Sequence, residues 1–222
     1  MWFFVLHVRT NVYFEWGDET LETSKEGLFQ AAMEGVRRYG LDGVSMRQIA
    51  SLAGASPSNA YTYFSSKDEL MRACFERVDR QIAHIFDRIR FDEERLATAP
   101  EEEIRHQWTA YYRWLVAHPN ETVFYHRFRD SPGFWEFERK RDVSYFSSFT
   151  RFTHAFEERY RLQEKTDFHI LWLHVLTSTV MYAKYVVEGV LPSTNATEEN
   201  IFQLMMSGIQ GLLCQSPAES AN

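Results

Sequence analysis

A pair of short helices joined by a tight turn is the pattern that most limits what this chain can fold into. Ser45 is a good N-cap for a first helix over residues 46–53. Gly54 follows where the chain must turn sharply, since glycine enters the left-handed region without steric cost. Ser56 and Pro57 then supply an N-cap and a first-turn proline for a second short helix. The pattern predicts a helix-turn-helix.

The second helix of this pair, residues 57–63, is the expected recognition helix. A helix-turn-helix binds DNA by placing its second helix in the major groove, while the first helix and the flanking caps hold the phosphates. The side chains expected on the outer face are small or hydrogen-bonding, which lets the backbone approach the bases. Arg47 is the one long cation predicted near this surface, so it is the leading candidate for a guanine contact.

A longer helix is predicted on each side of the pair. Residues 20–39 carry apolar side chains at helical spacing and stop at Gly40. Residues 67–90 carry one apolar face along their whole length, formed by Met71, Phe75, Val78, Ile82, Ile85 and Ile89. The helix over residues 20–39 completes a three-helix head, residues 20–68. The helix over residues 67–90 connects this head to the rest of the chain.

The rest of the chain is also predicted to be helical. A chain of 222 residues with 45% hydrophobic content can bury a large core, and no stretch alternates as half-buried strands do. Further helices are predicted over residues 101–117, 121–129, 134–160, 166–188 and 198–213. The expected fold is therefore all-α, with a helical-bundle body over residues 69–215. Residues 1–19 form an arm of unassigned role and residues 216–222 a tail.

The charge distribution separates the head from the body. Residues 21–72 contain six basic and six acidic side chains, whereas the remainder contains 25 acidic and 18 basic ones. The net charge of −7 excludes a protein that coats nucleic acid with its whole surface. A neutral head on an acidic body is expected to turn the head towards DNA.

The sequence carries no pattern that predicts catalytic or metal chemistry. The two cysteines, Cys74 and Cys214, lie far apart and lack partners at metal-ligand spacing. His169 and His174 are five residues apart, which places them on different faces of a helix. There is no glycine-rich phosphate loop and no nucleophile motif. We expect no enzyme activity, no metal and no cofactor.

The longest apolar stretch, residues 168–187, raises the question of a membrane span. It contains His169, His174 and Lys184, each of which would cost free energy in lipid. We therefore interpret it as a buried helix of a soluble protein without a membrane partner. The scarcity of cysteine fits a reducing cytoplasm.

The run from Gly43 to Leu70, GVSMRQIASLAGASPSNAYTYFSSKDEL, resembles the N-terminal signature of TetR/AcrR-type transcriptional regulators. The similarity covers about a quarter of the chain and includes the elements Ile49-Ala50, Gly54, Tyr61-x-Tyr63-Phe64 and Ser66-Lys67-Asp68-Glu69-Leu70. The resemblance implies an all-α homodimer that binds double-stranded operator DNA. It also implies a ligand-binding body whose last two helices form the dimer interface.

The resemblance also assigns DNA contacts. It implies base contacts by Arg47, Pro57, Ser58 and Tyr61, and phosphate contacts by Ser45, Asn59, Tyr63 and Lys67. Two positions depart from the family pattern: Ser58 stands where Gly or Pro is frequent, and Ala60 where a larger apolar residue is usual. The preferred operator is therefore not inferred. Tyr61, Phe64 and Lys67 also have a purely structural alternative, as packing groups or a solvated lysine of the head.

The body is rich in aromatic residues, which form either a core or the lining of an effector cavity. An apolar cavity with a few polar groups suits a small hydrophobic or aromatic effector. The expected lining comprises Trp108, Tyr111, Tyr112, Phe128, Phe149, Phe152, Trp172, His174 and Tyr182.

The last two helices have more apolar surface than one core contact requires. We expect them to pack against their copies in a second subunit, through Leu173, Val180, Met181, Phe202, Met205 and Ile209. A symmetric dimer would present two recognition helices about 34 to 36 Å apart to a near-palindromic operator.

Three functions remain open on the sequence. The first is a repressor released from DNA by a small effector, through a shift between two dimer states. The second is a regulator whose body only dimerises, which a closed core without a cavity would favour. The third is an all-α enzyme, against which the absence of catalytic motifs counts. The effector, the operator and the sign of regulation are not predicted.

Overall fold

A computed structural model describes residues 25–140, 144–160 and 168–212, and these residues form helices without any strand. The helices are α1 (Lys25–Tyr39), α2 (Met46–Leu52), α3 (Pro57–Tyr63), α4 (Lys67–Ile89), α5 (Glu93–Thr98), α6 (Pro100–Ala117), α7 (Pro119–Arg129), α8 (Pro132–Glu138), α9 (Ser147–Arg159), α10 (Phe168–Val187) and α11 (Asn195–Leu212). A 3-10 turn, Ser144–Phe146, precedes α9. The predicted all-α fold is confirmed.

Most predicted helices occur within a few residues of their expected bounds. The predicted helix over residues 134–160 is wrong, because α8 ends at Glu138 and α9 begins only at Ser147. Residues 138–142 are all charged, so no apolar face continues across them. The predicted residues 20–24, 166–167 and 213, like the arm 1–19 and the tail 216–222, lie outside the described residues.

Helix α5 was not predicted, although the sequence carries its start signal. The side chain of Asp92 caps the helix by accepting a hydrogen bond of 2.9 Å from the backbone N–H of Arg95. The fully buried carboxylate of Glu103 on α6 accepts hydrogen bonds from Arg95 Nε at 2.5 Å and from Gln107 Nε2 at 2.7 Å. This ion pair holds α5 against α6, so tertiary contacts stabilise a helix too short to form alone.

Helix α4 belongs to both the head and the body. At its start it packs with α1, and further along it packs with α6, α7 and α9. The buried carboxylate of Asp79 accepts hydrogen bonds from the hydroxyls of Tyr125 at 2.7 Å and Tyr145 at 2.6 Å. Burial raises the pKa of Tyr125, which keeps its hydroxyl protonated as a donor. These bonds connect α4 to α7 and to the 3-10 turn.

Helix α10 is long and apolar enough over Ile170–Val187 to span a membrane. One side of the helix packs on α6 and α7 and buries Leu171, Val175 and Val180. The other side leaves Ile170 60% and Leu173 44% exposed. The helix therefore has one core-facing side, as predicted, and a second apolar side that the described part of the chain does not cover.

Candidate nucleic-acid interface

The start of α2 is held by a capping box. The hydroxyl of Ser45 accepts a hydrogen bond from the backbone N–H of Gln48, and the Gln48 side chain accepts one of 2.8 Å from the backbone N–H of Ser45. This reciprocal pair satisfies two donors at the helix start. The side chain of Arg47, which lies between the two, is exposed.

The turn between α2 and α3 places the second helix across the first. Gly54 adopts φ +70°, the left-handed conformation that the sequence predicted for it. The N–H of Ala55 reaches back to the carbonyl of Ala50 at 2.8 Å, which closes the end of α2. Ser56 then caps α3 by accepting a hydrogen bond of 3.2 Å from the N–H of Asn59.

Helix α3 has an inner and an outer face. Ala60 is fully buried, and Phe64, directly after the helix, packs its ring 5.5 Å from that of Phe29 on α1. The outer face is exposed, with Tyr61 at 52% and Tyr63 at 42%.

The four residues assigned to base contacts all lie on the exposed side of α2 and α3. Arg47, Pro57, Ser58 and Tyr61 are each exposed. The arrangement is suited to a groove because the long side chain comes from α2 and the small ones from the start of α3. Their contacts with bases remain predictions.

The four residues assigned to phosphate contacts differ more among themselves. Tyr63 is exposed, whereas Asn59 is half-buried, and the hydroxyl of Ser45 is engaged in the cap. The ammonium of Lys67 donates to the carbonyl oxygens of Leu41 at 3.0 Å and Val44 at 3.1 Å. These bonds favour the structural alternative for Lys67, which fastens the loop before α2 to the start of α4.

The sequence reasoning missed Gln48, and it considered Thr62 only as an alternative to Tyr61 on the outer face of the recognition helix. Gln48 shares the exposed side of α2 with Arg47, and its place three residues after Ser45 is the signature of the capping box. Thr62 lies on the outer face of α3, where its hydroxyl donates to the carbonyl of Ser58 at 3.2 Å. Helical periodicity could have placed both on the exposed side.

The residues predicted to line an effector pocket do not form one group. Tyr111 and Phe149 pack against Phe86, and Phe152 and Trp172 join this cluster through Phe149, so that it connects α4, α6, α9 and α10. A second cluster contains Trp108, Tyr112 and Phe202, with rings of the first two stacked at 4.9 Å. Tyr182 is half-buried, and the prediction that His174 lines an interior pocket is wrong because this side chain is exposed on α10.

Phe128 belongs to neither of these clusters, and its ring packs against Phe75 and Phe134. It also borders a cavity of about 220 Å³ between the loop after α1, the start of α4 and the turn before α8. Two larger clefts, of about 420 Å³ beside α5 and about 760 Å³ between α6 and α11, are lined mainly by residues of charged or polar type. None of the other predicted pocket residues lines these three clefts.

The assignment of four residues to the dimer interface is wrong. Val180, Phe202, Met205 and Ile209 are buried within the chain, at 4% exposure or less. They were assigned from hydrophobicity alone, which does not distinguish the core side of a helix from its free side. Leu173 is exposed and Met181 is half-buried, as an interface requires. The exposed apolar residues that the prediction missed are Ile170, Tyr185 and Leu204.

The comparisons with known proteins concern first the head and then the fold of the chain. Residues 28–74 match the family model described as "Bacterial regulatory proteins, tetR family". HdnoR of Paenarthrobacter nicotinovorans, an HTH-type nicotine-responsive transcriptional repressor, is 35% identical over 65 residues. That match covers 29% of this chain and 34% of HdnoR, so it spans about a third of the relative's length.

Solved structures match over nearly the whole chain. A TetR family transcription regulator from Marinobacter aquaeolei VT8 superposes with a TM-score of 0.62 at 18% identity, covering 87% of this chain and 97% of that one. A TetR-like transcriptional regulator from Rhodococcus sp. RHA1 has a TM-score of 0.61 at 20% identity, covering 88% and 100%. The matched relatives and solved structures are helix-turn-helix transcription regulators and not enzymes. The match to the TetR family covers residues 28–74 of this chain, and the likeness to the solved structures shows a shared fold.

We predict that Lys67→Met destabilises the head even without DNA. The substitution removes two charge-assisted hydrogen bonds to backbone carbonyls, so the free energy of unfolding should fall by about 1–3 kcal/mol. Urea denaturation of the full chain measures this. Arg72→Met, at an exposed position five residues further along α4, is the matched control and should change little. Equal stabilities of the two variants would contradict the structural role.

Proposed function

We propose that this protein is a transcriptional repressor that binds a near-palindromic DNA operator as a homodimer in the cytoplasm. The observation that carries the proposal is the exposed outer face of α2 and α3, which presents Arg47, Tyr61 and small polar side chains. The match of residues 28–74 to a family of regulatory proteins supports it. HdnoR, by its name a transcriptional repressor, supports the sign of regulation.

Each head is proposed to bind through a few placed contacts. Helix α3 enters the major groove, with Pro57, Ser58 and Tyr61 towards the bases and Tyr63 towards a phosphate. Arg47 reaches a guanine from α2, since its guanidinium can donate two hydrogen bonds to the major-groove edge of that base. Because the head carries no excess positive charge, affinity depends on these contacts and on pairing two heads.

We predict that Arg47→Ala weakens operator binding by tenfold or more and relaxes the base preference at one position of each half-site. Loss of a bidentate contact to guanine removes about 1–3 kcal/mol of discrimination. The operator is first obtained by selecting bound duplexes from a random library with the wild-type protein, and affinities follow from fluorescence anisotropy.

Arg88→Ala is the matched control for this measurement. Arg88 is exposed in the last turn of α4, 20 residues along the chain from the end of the head, and its loss changes the net charge equally. The proposal predicts near wild-type binding for this variant. A similar loss in both variants would indicate a nonspecific charge effect, and an unchanged affinity of Arg47→Ala would refute the assigned contact.

The dimer is proposed to form through the exposed sides of α10 and α11. Ile170, Leu173 and Tyr185 on α10 and Leu204 on α11 are large apolar side chains left 36–62% exposed. Apolar surface of this kind is costly in a monomer, and packing two copies of both helices would cover it. The TetR family resemblance of the sequence also implies this interface.

We predict that Leu173→Glu combined with Leu204→Glu yields a folded monomer that binds the operator poorly. Two buried carboxylates at a symmetric interface would face their own copies, whereas in the monomer both remain solvated. Sedimentation velocity measures the oligomeric state, and circular dichroism checks helicity. Trp135→Glu is the control, because Trp135 on α8 is 63% exposed on another element. A stable dimer of the double variant would overturn this interface.

We further propose that a small aromatic or hydrophobic effector binds in the body and releases the DNA. The cluster of Tyr111, Phe149, Phe152 and Trp172 supports this, since it joins α4, which leads to the head, with α10, which carries the proposed dimer surface. The match to HdnoR covers only 34% of that protein, so nicotine is not carried over as the ligand. The alternative is a body that serves only for dimerisation.

We predict that at least one small aromatic probe raises the melting temperature of the wild-type protein in a concentration-dependent way. Indole, naphthol and carbazole are suitable probes, and a ligand of the native state stabilises in proportion to the logarithm of its concentration above Kd. Phe149→Leu should abolish the shift, whereas Phe137→Leu, in the separate cluster around Phe75, should keep it. Stability unaffected by any probe would favour the body that only dimerises.

A further inference from the structure

Where the head meets the body, one arginine from each side donates hydrogen bonds to the end of a helix on the other side. Arg37, in the last turn of α1, donates to the carbonyl oxygen of Val187 at 3.3 Å. Val187 is the last residue of α10. In the opposite direction, Arg127 of α7 donates to the carbonyl oxygens of Val36 and, at 3.2 Å, of Arg37 itself. We call Arg37 and Arg127 the junction arginines.

Both junction arginines serve the carboxyl end of a helix. The last carbonyls of an α-helix have no partner within the helix, and the end carries a partial negative charge. A guanidinium satisfies these oxygens with hydrogen bonds and with its charge. The C-terminus of α1 is therefore held by a cation from the body, and the C-terminus of α10 by a cation from the head.

Further polar contacts connect the two arginines into one network. The second nitrogen of Arg37 donates to the side chain of Asn120 at 3.2 Å, at the start of α7. Arg127 Nη2 lies 3.7 Å from Glu188 Oε1, and the other oxygen of Glu188 lies 2.9 Å from the ammonium of Lys184. Both junction arginines are half-buried, so their bonds are shielded more than those of a surface pair.

The junction supplies a second attachment of the head, separate from α4. Helix α4 passes continuously from head to body, but a single helix permits the head to tilt about it. Helix α1 packs along α7, and α7 in turn packs against α10. Arg127 adds hydrogen bonds to this contact at the end of α1. Arg37 connects the end of α1 to α10, the helix that carries the proposed dimer surface.

We propose that Arg37 and Arg127 are positioning residues that fix the tilt of each head on the body and thereby set the spacing of operator half-sites that the dimer accepts. The proposal rests on the proposed function, since half-site spacing has meaning only for a dimer on DNA. The fixed tilt, however, is a property of the free protein and can be measured without DNA.

The first measurement is the distance between head and body within one chain. Spin labels are attached at Ser51→Cys on α2 and Glu158→Cys on α9, both exposed positions, in a background with Cys214→Ser. Cys74 is buried and stays unlabelled. Labelled chains are mixed with excess unlabelled chain, so that each distance is intramolecular. The proposal predicts a narrow distribution for the wild type and one at least twice as wide for Arg37→Gln with Arg127→Gln.

The second measurement is the penalty for changing the operator spacing. Two base pairs are inserted between the half-sites of the selected operator. The wild type should lose tenfold or more in affinity, whereas the double variant should lose threefold or less, and binding to a duplex with one half-site should be equal for both. Arg127→Lys keeps the charge but has one donor group in place of the fork, so an intermediate penalty is expected. Arg38→Gln is the matched control on α1, because Arg38 is exposed and pairs with Glu34.

Each outcome of the two measurements either supports or overturns the proposal. An unchanged distance distribution in the folded double variant would overturn the proposal, whether or not the protein binds DNA. A wider distribution with the same spacing penalty as the wild type would also overturn it, because the tilt would then not set the spacing. A wild type that binds no duplex refutes the proposed function, and with it the role in spacing. Wider tilt together with a smaller penalty supports the proposal.

Discussion

The packing of Phe75 on α4 is the contact on which the rest of the body depends. Its buried ring stacks on Tyr125 at 4.7 Å and meets Phe128, Phe134 and Phe137 at 5.2 to 5.7 Å. One side chain thus gathers α7 and α8 onto the helix that also begins the head. Asp79, one turn further along, adds two buried hydrogen bonds from tyrosine hydroxyls. Aromatic contact supplies area, and the polar bonds define which way α7 and the 3-10 turn approach.

The head and the body are held together by different kinds of interaction. Within the head, buried aliphatic and aromatic side chains and well-formed helix caps stabilise three short helices around Leu28, Ile49 and Leu70. Between head and body, the contacts include hydrogen bonds from guanidinium groups to the carbonyl oxygens of helix ends. Polar contacts of this kind depend on direction and distance more than apolar packing does. A junction built from them is suited to defining an orientation.

The helix-turn-helix was predictable because its determinants are local. Serine caps at Ser45 and Ser56, the glycine at Gly54 and the proline at Pro57 each act within a few residues, and the structure has α2 and α3 where these signals put them. The exposed side of α2 and α3 followed from helical periodicity. In the body, the same reasoning joined α8 and α9 into one helix and missed α5. Helix α5 depends on a contact with another helix, the ion pair of Arg95 with Glu103 on α6.

The sequence by itself determined the all-α class, the position of the helix-turn-helix and the residues on its outer face, since caps, turns and apolar periodicity are properties of short segments. Only the tertiary structure decided which side of α10 and α11 remains free, so Val180 and Phe202 belong to the core and Ile170 and Leu204 to the surface. It also decided that Lys67 donates hydrogen bonds to the loop before α2. In the same way, it placed Arg37 at the carboxyl end of α10 and Arg127 at the carboxyl end of α1. The physical reason is that these roles depend on groups distant in sequence, such as Arg37 and Val187, whose meeting no local pattern encodes.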